Sequence, residues 1–157
     1  MVEGRLKVFR SRDYSLVRAL LTDPSIFPHI CDDFTKDASS YEPPRDENVV
    51  YLLALDDDGP LGLGIFHPRN RVCFEGHFGF IPRAYGSVAL DCFRRMLAWM
   101  WQNTTARKVV GEIERSNRLA IRFAARAGFR AYAINQRSKL IAGVLRDQVC
   151  MEIFKPE

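Results

Sequence analysis

The sequence predicts a single α/β domain, a mixed and mostly antiparallel sheet with helices on both of its faces. Three observations predict it. Short runs rich in β-branched and aromatic residues, bounded by turn residues, recur along the chain and read as strands. Two stretches in the second half carry apolar residues at three- and four-residue spacing, as amphipathic helices do. The element order is strand, two helical pieces, three strands, helix, strand, helix, two strands, which describes one mixed sheet with helices against its faces.

Arg5–Arg10 alternates weakly and suits a first strand. Ser11 or Asp13 can cap a helix running to about Leu21, with Leu16, Val17, Leu20 and Leu21 on its apolar side. Pro24 and Pro28 interrupt the chain, and Ile26, Phe27, Ile30 and Phe34 form a short helix or an irregular packed segment. The polar stretch from Thr35 to Asn48, with Pro43-Pro44, is a loop. Val49–Leu55 is an apolar strand, Asp56–Pro60 a turn, and Leu61–His67 its hairpin partner. Arg71–Phe80 alternates, with Val72, Phe74, Gly76, Phe78 and Phe80 on one face and Cys73, Glu75, His77 and Gly79 on the other.

Residues 80–130 organise the rest. A turn at Pro82–Gly86 feeds a helix over about Tyr85–Gln102, whose stripe is Ala89, Phe93, Met96, Leu97 and Met100. Lys108–Ile113 is a short buried strand. Ser116 is placed to cap the next helix, which has Ala120, Phe123, Ala124 and Ala127 inside, Arg115, Arg118, Arg122 and Arg126 outside, and ends at Gly128. Phe129–Asn135 is a strand, Gln136–Gly143 a loop and Asp147–Phe154 a final strand. Trp99 and Trp101 point in different directions, so at least one packs into the core.

The 157 residues suit one domain, and the apolar share of 47% is ordinary for a globular protein. The net charge of +4 is mildly basic and scattered, which permits an acidic ligand without pointing to nucleic acid. No run is long and apolar enough to span a membrane, and Met1–Arg5 opens no signal-like apolar stretch. Cys31, Cys73, Cys92 and Cys150 form no CxxC pair and read as reduced packing residues in a cytoplasmic protein. His29 and His67 read as loop residues, and no spacing of His, Cys and carboxylates resembles a metal site.

Two places can carry chemistry. The turn at Pro82–Gly86 presents free backbone N–H groups and the positive end of a helix dipole, which together suit a pyrophosphate; an ordinary helix start is the alternative. Glu75 and His77 share one strand face within reach of one substrate; the polar side of a half-exposed strand is the alternative.

The run Asn117-x-x-Ala120-x-x-Phe123-x-x-x-x-Gly128-Phe129, with Gly86-Ser87 opening a long helix, resembles the core of the GNAT superfamily of acyl-CoA-dependent N-acetyltransferases. Phe78-Gly79-Phe80-Ile81-Pro82 and the Trp-rich helix resemble acetyltransferase-like proteins carried by bacteriophages. The resemblance implies acetyl-CoA as acyl donor, a small-molecule or peptide amine as acceptor, and direct attack of the amine on the thioester. A homodimer is compatible with it. It also implies donor contacts at Ile81, Arg83, Ala84, Tyr85, Gly86 and Ser87, with Asn117 at the pantetheine arm and Arg122 (with Arg118) near the adenosine phosphate. Asn117 equally suits a helix-start residue. Glu75 or His77 would take the amine proton, directly or through water. The turn departs from the family pattern in having one glycine, and Ala124 stands where many members place a Tyr that returns a proton to the thiolate. Both departures suit a rival reading, a non-catalytic GNAT-fold protein with an assembly or interaction role. The loop at Tyr41–Arg45 would wall the acceptor side.

Overall fold

The structure, a computed structural model, describes residues 5–157; Met1–Gly4, part of the stretch read for a signal, lie outside the described residues. Seven strands form one sheet in the order β1-β2-β3-β4-β5-β7-β6. They are β1 (Lys7–Arg10), β2 (Val50–Asp56), β3 (Gly59–Pro68), β4 (Cys73–Phe80), β5 (Lys108–Glu114), β6 (Arg130–Ile141) and β7 (Val144–Phe154). The β4–β5 pairing is parallel and the others are antiparallel. That is the mixed, mostly antiparallel sheet that the element order predicts.

Helices α1 (Tyr14–Leu21) and α2 (Phe27–Ile30) lie in the first crossover, and α3 (Ser87–Asn103) and α4 (Arg118–Arg126) flank β5 in sequence. Alternation along the strands gives each face its own core. One core gathers Leu52, Phe66, Phe74 and Val109 from the sheet with Phe93, Met96 and Met100 of α3. The other gathers Tyr51, Leu53, Leu63 and Ile65 with Val17, Leu20 and Leu21 of α1. Phe93 is buried among aromatic rings, 3.9 Å from Phe78, 5.3 Å from Phe123 and 5.6 Å from Phe129. Phe123, Ile113, Trp99 and Trp101 are partly buried and pack against this core.

Several local expectations are corrected. Helix α3 starts at Ser87 rather than Tyr85, because Pro82–Ala84 forms a 3-10 turn first and Gly86 sits at φ 95°. Asn117, not Ser116, caps α4, accepting from Ala120 N at 3.2 Å, while the Ser116 hydroxyl donates to Glu114 at 2.6 Å. Asp13 caps α1 through Leu16 N. The polar run Gln136–Ile141 continues β6 instead of looping out. Arg137 at φ 52° absorbs a register shift there, with its N–H donated to Asp147 and the Ser138 hydroxyl to Gln148. His67 lies inside β3, whereas His29 is in α2. Phe34 is 98% exposed and not packed, because the chain leaves α2 extended at Cys31 and turns over Asp32 and Asp33.

Phe93→Ala would leave a void among three rings, so it should destabilise the protein by about 3–5 kcal/mol in chemical denaturation. A cost below about 1 kcal/mol would mean that these rings do not hold the helix layer to the sheet.

Candidate active site

The site begins where the sheet comes apart. On one side β4 pairs with β3 along its length, from Phe74↔Pro68 to Phe80↔Gly62. On the other side β5 pairs with β7 from Lys108↔Phe154 to Glu114↔Gln148. Between them the parallel ladder holds only Cys73–Glu75 to Lys108–Val110. Beyond Glu75 and Val110 the two strands diverge, and their facing backbone groups have no sheet partner. The aromatic layer lies beneath the divergence. Phe80 of β4 meets Phe123 of α4 at 5.8 Å, and Phe78 covers Gly76, where an added Cβ would lie 3.0 Å from its ring. Aromatic side chains line the helix side of this stretch, where the β4–β5 ladder is missing.

The end of β4 leads to the turn before α3. Helix α3 has no side-chain cap and no acid in its first turn, so its leading N–H groups are free of side-chain partners. Gly86 lies in the left-handed region with open space around it, and Tyr85, Ser87 and Gly86 are exposed. Ala84 is buried in the core and Ile81 is half-buried. Arg83 is committed elsewhere: its guanidinium makes two 2.9 Å bonds to Asp56 and donates to the Gly59 and Pro60 carbonyls. It ties the turn to the β2–β3 hairpin, and the anion-binding capacity of the turn rests on backbone alone.

On the opposite face of β4, Glu75 Oε1 lies 3.2 Å from His77 Nε2, and Oε2 accepts two bonds from Arg69 at 3.1 and 2.9 Å. Arg69 also reaches Glu112 of β5 at 3.5 Å. The His77 contact does most to pull the Glu75 carboxyl down, to about 2; burial opposes and Arg69 adds to the lowering. The sequence-predicted pair is therefore joined, but Glu75 is a firmly ionised anchor.

His77 also meets His67 of β3, ring to ring at 5.6 Å and 80°. His67 borders a cavity of about 820 Å³ on the α1 side of the sheet, walled by Tyr41, Glu42, Pro44 and Tyr51 together with residues 33–37 and Ser40. The acceptor-side loop expected at Tyr41–Arg45 thus contributes to its wall. The loop is pinned at its far end, where the Asp33 carboxylate accepts from Ala142 N and Gly143 N at 2.7 and 2.8 Å, in the β6–β7 turn.

Asn117 is half-buried, with its side-chain oxygen engaged in the cap. Arg122 is exposed and makes no ion pair among the described residues. Ala124 is buried against the first core, so that no hydroxyl projects from this position. Sequence reasoning missed His67, Arg69 and Asp33. The alternation of β3 marks His67 as lying on the face of Ile65, but its pairing with Glu75 becomes visible only with the register in hand.

A wedge between parallel strands, an uncapped helix start at its end and a cavity on the other face define an acyltransferase-type fold. The chain belongs to the GNAT family: the family model described as an acetyltransferase (GNAT) domain matches residues 5–130. No curated protein matches it in sequence. Among solved structures, the spermidine N-acetyltransferase of Vibrio cholerae in complex with CoA and spermine is similar at a TM-score of 0.77 and 16% identity, over 95% of each chain. A chimera of that enzyme and hSSAT gives 0.78 at 15% identity, over 96% of each. The ribosomal-protein-alanine N-acetyltransferase of Brucella melitensis gives 0.73 at 13% identity, over 95% of this chain and 99% of its own. At such identities the likeness is one of fold. CoA is present in one of these neighbours, and acetyl-CoA is the typical donor of the family.

The lowered pKa of Glu75 makes a pH prediction. A carboxyl depressed on folding contributes stability above its unfolded value of 4.5, and that contribution is lost as pH falls toward about 2. Glu75→Gln should therefore flatten the loss of unfolding free energy across this window in denaturant titrations. An unchanged acid profile would show that the His77 and Arg69 contacts do not act on Glu75 in solution.

Proposed function

We propose that the protein is an N-acyltransferase that moves an acetyl group from acetyl-CoA to a small-molecule or peptide amine by direct attack. The early end of the β4–β5 ladder carries this reading. It leaves peptide groups of Gly76–Phe80 and Gly111–Ile113 facing a gap, and unpaired backbone polar groups seek partners. A pantetheine arm, itself built of amides, supplies them. The thioester donor then carries the acyl group, and this chain holds and orients it. The free N–H groups of Gly86 and the first turn of α3 suit the pyrophosphate. Asn117 stands at the start of α4 beside the arm, and exposed Arg122 offers a cation to the adenosine phosphate. Residues Ile81, Ala84 and Tyr85 shape the turn, which Arg83 fixes through Asp56. The amine must be neutral to attack, and Glu75 and His77 belong to the group of side chains that serves its deprotonation. Spermine in one neighbour and a ribosomal protein in the name of another support an amine acceptor without choosing one.

A second reading keeps the fold and drops the chemistry, leaving a structural, assembly or interaction role. Ala124, buried where many members carry a Tyr, favours it.

Acetyl-CoA at a hundredfold excess over its Kd should stabilise the protein by about 2.7 kcal/mol in thermal or denaturant melts. Gly86→Val should abolish most of that gain, because a β-branched residue is strained at φ 95° and would crowd the phosphates. No shift at millimolar acetyl-CoA would overturn the first reading and leave the second. Thiol release on adding spermine or a peptide with a free N-terminus supports the first; binding without thiol release supports the second.

A further inference from the structure

We propose that His67, at the end of β3, is the group that takes the proton from the attacking amine, with His77 and Glu75 acting through it. The inference rests on the acyltransferase reading above and assigns the base within it. A base has to reach the acceptor, and the cavity has to hold the acceptor. His67 borders that cavity; Glu75 and His77 do not. The other titratable groups on its wall suit different work. Carboxylates at Asp37 and Glu42 attract an arriving ammonium ion, Asp33 is engaged by the Ala142 and Gly143 amides, Lys36 is a cation and accepts no proton, and the Tyr41 and Tyr51 phenols, pushed up first by burial, keep their protons.

The strand register explains how His67 reaches both partners. His67 lies directly across from Glu75, and His77 lies across from Ile65, so the two rings share one face and meet edge to face at 5.6 Å. His77 sits on the part of β4 that borders the wedge, and His67 on the part of β3 that borders the cavity. The pair therefore spans the distance between donor gap and acceptor chamber. Glu75 is held by two Arg69 bonds and by His77, and it is not free to accept a substrate proton. Half-burial lowers the His67 pKa from 6.5, the neighbouring His77 lowers it further, and Glu75 and Asp46 pull the other way. The facing groups are His77 and Glu75 from β4, Tyr51 from β2, and Tyr41 and Asp46 from the loop before it. The net result keeps the ring neutral and able to accept at physiological pH.

The acceptor enters as an ammonium ion and gives one proton to solvent. Its nitrogen then bonds to the thioester carbonyl carbon while a second N–H proton passes to a ring nitrogen of His67. The C–S bond breaks and the sulfur leaves with the electron pair. The imidazolium then returns its proton to that sulfur through solvent. The products are amide and free thiol, with one proton released overall.

The test uses the full chain, acetyl-CoA, and either spermine or a free-N-terminus peptide as probe amines, with thiol release measured from pH 5 to 10. Wild type should show an acid limb in kcat with an apparent pKa below about 6.5. His67→Gln and His67→Ala should lower kcat by about a hundredfold or more, lose that limb, and regain rate at high pH, with acetyl-CoA affinity little changed. His77→Ala should move the limb to higher pH, since removing a neighbour that lowers the His67 pKa raises it. His29→Ala, at an exposed position of α2, should match wild type. Either His67 variant retaining wild-type kcat with the acid limb intact overturns the assignment alone. Wild type that binds acetyl-CoA but releases no thiol with any probe amine overturns the acyltransferase reading, and the assignment with it.

Discussion

The molecule depends on the place where two strands stop pairing. A parallel ladder that ran the length of β4 and β5 would satisfy their backbones and close the sheet; here it ends at Glu75 and Val110. Each strand keeps its outer partner, so neither half frays. The cost of unpaired peptide groups falls at one gap, and aromatic packing on the helix side holds the gap open. Phe80 and Phe78 of β4 lean on Phe123 and Phe93 instead of drawing toward β5. The same rings hold α3 against β4, so the uncapped start of α3 follows directly on the end of the strand that has lost its β5 partner.

On the other face of the sheet, polar groups do the organising. Glu75 joins His77 to Arg69, and Arg69 crosses to Glu112, so one network bridges β4 and β5 just where their ladder ends. The loop that walls the cavity on this face is held by a second device. Asp33 accepts both amides of the β6–β7 turn, where Ala142 and Gly143 adopt positive φ, and backbone bonding holds its carboxyl below the ordinary range. The long β6–β7 hairpin reaches this loop at its turn, between Ile141 and Val144.

Much of this was legible in the sequence. The apolar stripe of α3, the alternation in β4 and the Gly128 stop of α4 are local signals, and each appears as read. What was not legible depends on residues distant in sequence. Gln136–Ile141 is polar enough to pass for a loop, and it stays a strand because Asp147 and Gln148 receive its donors from across the hairpin. Arg83 matched a phosphate-binding position, yet its partner Asp56 lies 27 residues away. Ser116 and Asn117 are both good caps by type, and Glu114 decides between them by engaging the serine. His67 followed a strand signal closely enough to be taken for the loop after it, and its polar neighbours Glu75 and His77 come from another strand.

The central claim is that the gap between β4 and β5 holds the acyl donor. Amide hydrogen exchange read residue by residue, with and without acetyl-CoA, tests it most directly. A donor held there should slow exchange of the β4 amides beyond Glu75 and of the amides at Gly86–Ala89, and leave the β1–β2 ladder unchanged. Protection that falls elsewhere, with the amides of Gly76–Phe80 exchanging as fast with the donor as without it, would contradict the account.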